Sequence, residues 1–194
     1  MGRIVLADAT TLIGLAKTEG GLSWLKKLFG KVFVTSAVKG EVLPGRGVEG
    51  EAEIQKALDR GIIRELTEQS TEPLFPWLHE GEASIIRAAV NLAKAGNDCL
   101  ILMDEKHGRA AVKALGSSSI VLIGTAAVIG RAKEKKLIPS AAAVFHELRH
   151  KGFYISQELV RGILDEIGEK IEGPPARSKG KVARVRMTPR PKRR

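Results

Sequence analysis

The sequence predicts an α/β protein: a three-layer α/β/α sandwich built on a mostly parallel central sheet. Three observations carry that expectation. Short, near-continuous apolar runs recur along the chain, as strands buried on both faces do. Amphipathic stretches of helical period separate them. The two kinds alternate, which places strands side by side in one direction with helices covering both faces.

RIVLAD (3–8), KVFVTS (31–36), DCLILMD (98–104) and SIVLIG (119–124) read as buried strands. IIREL (62–66) reads as a further, more exposed one. The first helical pattern, TTLIGLAKTEGGLSWLKKLFG, is broken at Gly20-Gly21 and stopped at Gly30. AVKGEVLPG is ended by Pro44, because proline cannot continue the hydrogen-bond ladder. GVEGEAEIQKALDRG stops at Gly61. EGEASIIRAAVNLAKAGN is the strongest helix, with Ile85, Ile86, Ala89, Val90 and Ala93 on one side. EKHGRAAVKALG ends at Gly116, and TAAVIGRAKEKKLIP stops before Pro139. AAAVFHELRHKG and SQELVRGILDEIGEKI complete the series, the latter with Ser156 placed as its N-cap.

The net charge of +10 is unevenly spread. Residues 173–194 hold nine Lys or Arg and no Asp or Glu, whereas 1–172 hold 23 basic and 22 acidic residues. The expected organisation is therefore a globular domain over 1–172, including its C-terminal helices, and a basic tail over 173–194. Four prolines and no aromatic residue make that tail a poor folder by itself. It is either a solvated extension or an electrostatic arm for nucleic acid. In the second case Arg184, Arg186, Arg190, Lys192, Arg193 and Arg194 would neutralise phosphates without reading sequence. No apolar run approaches the roughly 20 residues that span a bilayer, so no membrane association is expected. Asp8 interrupts the apolar N-terminus, making it a poor signal peptide. Leu6 stands where a myristoylation site wants Ser or Thr. A single cysteine, Cys99, excludes an internal disulfide and a cysteine-rich zinc site, and points to a reduced cytoplasm.

Ligands of open parallel sheets bind outside the carboxyl ends of the strands. RIVLAD ends there in Asp8, and CLILMD ends in Asp104, followed by Glu105. Glu41 lies about one and a half turns beyond another strand end, and Glu82 sits in the first turn of the strongest helix. Each has a plain structural reading: an Asp at a strand end caps the next helix, a first-turn Glu favours the helix dipole, and a lone Glu41 is a surface residue. Together they read differently. Four carboxylates in one pocket repel and raise one another's pKa unless a cation neutralises them. Hard oxygen donors suit Mg²⁺ or Mn²⁺, and such ions support phosphodiester hydrolysis.

The blocks VLADATTLIGLAK, FVTSAVKGEVL, GEASII, LILMDEKHGR and VIGTAAVIGRAKEKKLIPS resemble successive blocks of the PIN domain family. The likeness is closest to a prokaryotic, toxin-like subgroup and extends through HELRHKGFYIS, over roughly residues 3–165. It implies a Mg²⁺- or Mn²⁺-dependent ribonuclease for single-stranded RNA, similar to VapC-type toxins. The same resemblance implies a cognate antitoxin and a homodimer. It makes Asp8, Glu41, Glu82 and Asp104 the four catalytic and metal-binding acids. Thr10 would help order the first acid, Glu105 would support the fourth, and Arg109 matches a basic residue serving an internal salt bridge or the substrate. Thr11 departs from a common proline, and the basic tail lies outside the family pattern. A non-catalytic nucleic-acid-binding module and a housekeeping RNA-processing factor are the competing readings.

Other motifs fare worse. A haloacid-dehalogenase-type phosphotransferase needs a second Asp where Thr10 stands, and the chain has no Walker loop. HELRH (146–150) spells the zinc-protease pattern H-E-x-x-H. Helical spacing, however, puts Ala141, Val144, Phe145 and Leu148 on the apolar face. His146, Glu147, Arg149 and His150 then face solvent, with Glu166 and Glu169 at about the right distance along the chain for a third ligand. A solvated helix face is expected, with adventitious zinc or nickel at the histidines.

Overall fold

The computed structural model describes residues 3–67 and 75–169. The tail cations singled out above lie outside the described residues, as does the boundary drawn at residue 173. β1 (Ile4–Ala7), β2 (Val32–Val34), β3 (Ile63–Glu65), β4 (Cys99–Leu102) and β5 (Ile120–Ile123) form one sheet in the order β3-β2-β1-β4-β5. Every pairing among these strands is parallel. β4 is buried throughout and β1 nearly so, which is why both read as unbroken apolar runs. β3 forms an edge and exposes Arg64 and Glu65, charges that discourage further strand pairing.

The helices are α1 (Ala9–Ala16), α2 (Gly21–Phe29), α3 (Ser36–Val42), α4 (Glu51–Asp59), α5 (Glu80–Lys94), α6 (Lys106–Ala114), α7 (Thr125–Glu134), α8 (Ala141–His150) and α9 (Gln157–Glu166). The helices group by their contacts. α5 and α6 pack together, while α1 packs on α2, α4 and α7, and α7 carries α8 and α9. α3 touches both α1 and α5.

The expected break at Gly20-Gly21 separates α1 from α2. Gly20 is left-handed (φ 71°), and a Cβ on Gly21 would collide with the Leu15 carbonyl. α5 departs from the one-sided helix that its pattern predicts. Gly81 to Ala89 are all buried, so its first half is enclosed all round. Ser84 Oγ lies 2.6 Å from Thr35 Oγ1 and donates to the Gly81 carbonyl at 2.7 Å. Arg87 pairs with Glu80.

Strand order reverses between β1 and β4, the neighbours on either side of the topological switch point. Ala7 pairs in register with Leu102, and the Asp8 amide donates to the Leu102 carbonyl at 2.9 Å. Asp8 thus leaves the sheet level with Met103, and Asp104 one residue further along.

Candidate active site

Parallel strands send their following helices out from one edge, so helix N-termini collect where the strands end. Each of the four predicted acids meets one of them. Asp8 is the N-cap residue of α1, with the Ala9 and Thr10 amides near its carboxylate. Glu41, from α3, accepts from the Gly81 amide at the start of α5 (3.1 Å). Glu82, from α5, accepts from the Gly108 amide in the first turn of α6 (3.3 Å). Its other oxygen closes a capping box with the His79 amide (3.4 Å). Asp104 accepts from the Thr125 amide at the start of α7 (3.0 Å), and from the Thr125 and Thr11 hydroxyls. The amides and positive dipole ends of four helices therefore hold the negative charge.

Three glycines make these contacts possible. A Cβ on Gly81 would fall on the Glu41 carboxylate, and one on Gly108 would strike Met103 Sδ and lie 3.0 Å from Glu82 Oε1. A Cβ on Gly124 would stand 2.5 Å from Asp104 Oδ1. Each carboxylate reaches its helix end because no side chain stands in the way.

Asp8 is 2% exposed. Burial pushes its carboxyl up to about 7; the Ala9 amide opposes this, and the charges of Glu82 and Glu41 add to it. Burial likewise raises Glu41, against the Gly81 amide and the charge of His79, with Glu82 and Glu80 raising it further. Asp8, Glu41 and Glu82 thus form one electrostatically coupled group. Asp104 stands beside it on the neighbouring strand end, tied to Thr11 and Thr125.

Two supporting residues have their own geometry. The Thr10 hydroxyl donates to Glu105 Oε1 at 3.4 Å, so this pair links α1 to α6 at the rim of the site. Arg109 donates from Nη1 to the Met103 carbonyl at 2.7 Å. Sequence reasoning missed Thr11 and Thr125 as partners of Asp104, and the glycines that make room for Glu41, Glu82 and Asp104. Thr125 could have been found, since Gly124-Thr125 follows β5 at the edge where Asp104 follows β4. Thr11 needs the three-dimensional approach of α1 to β4.

Among the described residues, no three Asp, Glu, His or Cys side chains stand gathered for a metal ion. The carboxylates are spread over the helix ends that they cap. Their chemistry still suits a hard divalent cation: the donors are carboxylates, and Asp8 is raised first by burial and further by Glu82 and Glu41.

HELRH lies on α8 as its spacing predicts, with Ala141, Phe145 and Leu148 buried and His146 and His150 exposed. Glu147 pairs with Lys151 at 2.8 Å. Glu169 accepts from Ser140 Oγ and from the Ala141 and Ala142 amides at the other end of α8. Among the described residues no third His, Cys, Asp or Glu gathers with the two histidines, which a protease zinc centre needs.

The described strands form an all-parallel sheet in an α/β sandwich, with acids at its carboxyl edge. A protein-family model described as a PIN domain matches residues 4–169, and the chain belongs to that family. PIN domains are typically nucleases and generally use divalent metals. Neither the curated proteins nor the solved structures include a significant match. Among the described residues, no helix is long and apolar enough to cross a membrane.

Proposed function

We propose that this protein is a divalent-metal-dependent endoribonuclease that hydrolyses phosphodiester bonds of single-stranded RNA. The observation that carries the reading is the buried Asp8 at the switch point, raised to about 7 beside Glu41 and Glu82. A carboxyl so placed is costly to ionise alone and is stabilised by a cation. Asp8, Glu41, Glu82 and Asp104 would hold Mg²⁺ or Mn²⁺. Bound there, the ion would polarise the phosphodiester and lower the pKa of an attacking water. Thr11 and Thr125 fix the Asp104 carboxylate, and the Gly81 amide fixes Glu41. Thr10 and Glu105 brace the rim between α1 and α6.

The biological role proposed is the toxin of a toxin–antitoxin pair, acting in the cytoplasm as a homodimer and restrained by a small cognate antitoxin. The support is the resemblance of the acid-bearing blocks to the toxin-like subgroup. Residues 173–194 are proposed as a basic arm that adds non-specific RNA affinity.

One observation favours a second reading, a non-catalytic nucleic-acid-binding module or a housekeeping RNA-processing factor. Glu41, Glu82 and Asp104 each accept from an amide at a helix start and Asp8 takes the N-cap position of α1, so all four have a structural use without catalysis. Titration of Mn²⁺ by calorimetry, together with RNA cleavage by wild type and Asp8→Asn, decides between them. The nuclease reading expects metal binding and cleavage in wild type and loss of both in the variant. Wild type that binds no Mn²⁺ and cuts no RNA in its presence would sink it.

A further inference from the structure

We infer that α8 carries a second metal site, separate from the acids: a two-histidine clamp for a borderline-soft divalent ion such as Zn²⁺, Ni²⁺ or Cu²⁺. His146 and His150 lie one turn apart, and their Nε2 atoms are 3.1 Å from each other. The rings meet edge to face with centroids 4.3 Å apart.

Without an ion, one imidazole must donate its only Nε2 proton to the other. A bound ion would take the place of that shared proton between the two nitrogens. At the usual metal–imidazole distance of about 2.0–2.1 Å, nitrogens so spaced subtend about 100° at the metal. That angle lies between the square-planar and tetrahedral values, which Cu²⁺ or Ni²⁺ and Zn²⁺ prefer. The ligands are imidazoles, which suit these ions better than Mg²⁺.

The neighbours leave the clamp free. Glu147, between the two histidines in sequence, is held by Lys151 at 2.8 Å. Both histidines are exposed, so water or a donor from another molecule can fill the remaining positions. The clamp lies well away from the acids. Lys17 donates to the Lys151 carbonyl at 2.9 Å and Lys151 to the Lys17 carbonyl at 2.6 Å. The last turn of α8 is therefore stapled to the far end of α1, about 12 Å of helix from Asp8.

The test is titration of Zn²⁺ and Cu²⁺ into tag-free full-length protein, followed by calorimetry and by electron paramagnetic resonance of the copper form. Wild type, Asp8→Asn, His146→Ala and His150→Ala are compared. One equivalent is expected to bind with micromolar affinity, with copper showing two equatorial nitrogens. Either histidine variant should weaken that binding at least tenfold, and Asp8→Asn should leave it unchanged. Failure of wild type to bind either ion overturns the clamp, as does binding that survives both histidine variants. Because the acid site is probed by Mn²⁺ and Asp8→Asn, the two sites fail independently.

Discussion

Asp8 concentrates the tension of the site in one residue. It is buried, beside two other acids, with backbone amides of α1 as partial compensation. Its carboxyl is raised from 3.8 to about 7, so the folded state holds a proton that the unfolded chain releases. The sign follows. Stability from this group is complete below about pH 4 and is lost as pH rises through 7. The metal-free protein should lose stability between these values, and Asp8→Asn should be the more stable protein at pH 8. Converting the shift gives a ceiling on the order of 4 kcal/mol. Thermal melts of both proteins from pH 5 to 8, in chelator, check this; parallel curves would refute it. Saturating Mn²⁺ should reverse the trend in wild type alone. The glycines act at the same scale. Gly81→Ala should favour α5 intrinsically by about 1 kcal/mol, yet push the Glu41 carboxylate from its place. The expected outcome is a folded protein, of near-wild-type melting temperature, whose RNA cleavage falls at least tenfold.

Among the elements, helix starts are controlled by residues far away in the chain as much as by local caps. α3, α8 and α9 use the local device: Thr35, Ser140 and Ser156 accept from amides three residues on. The Ser156 cap was legible because serine precedes an amphipathic run. α8 is also held by Glu169, which follows α9 and accepts three bonds at the α8 N-terminus. Those hydrogen bonds outweigh partial burial and hold the Glu169 carboxyl below its ordinary value. Its contribution is thus present above the normal glutamate pKa and lost on acidification. Glu169→Ala should cost about 1–2 kcal/mol at pH 7, and the deficit should shrink towards pH 3. Denaturant titration at both pH values reads this out. Such contacts escape sequence reading because the two ends of the bond lie 27–29 residues apart.

For the whole molecule, the sheet core sets stability and the parallel topology sets the site. Ile101, on the interior strand β4, is fully buried. Ile101→Ala should destabilise by about 2–5 kcal/mol, measured by chemical denaturation, because close-packed neighbours on both faces cannot collapse into the gap. The strand order brings β1 and β4 together although they lie about ninety residues apart in the chain. Without that pairing Asp8 and Asp104 would cap separate helices and nothing more. Deleting 173–194 is expected to leave the melting temperature unchanged, weaken RNA binding and flatten its salt dependence. An unchanged salt slope would remove the arm from the account.

The apolar runs determined the strands, since residues buried on both faces must be apolar whatever their neighbours. Glycines, prolines and serine caps determined where most helices begin and stop, because those effects act over a few bonds. Four acids at strand and helix ends were visible for the same reason. Tertiary structure alone decided which ends meet, and so that Asp8, Glu41 and Glu82 share one field while Asp104 is bound by Thr11 and Thr125. It also decided that Gly81, Gly108 and Gly124 serve carboxylates from other elements, and that α5 is enclosed all round. These follow from strand order and close approach in space, and a local pattern contains neither.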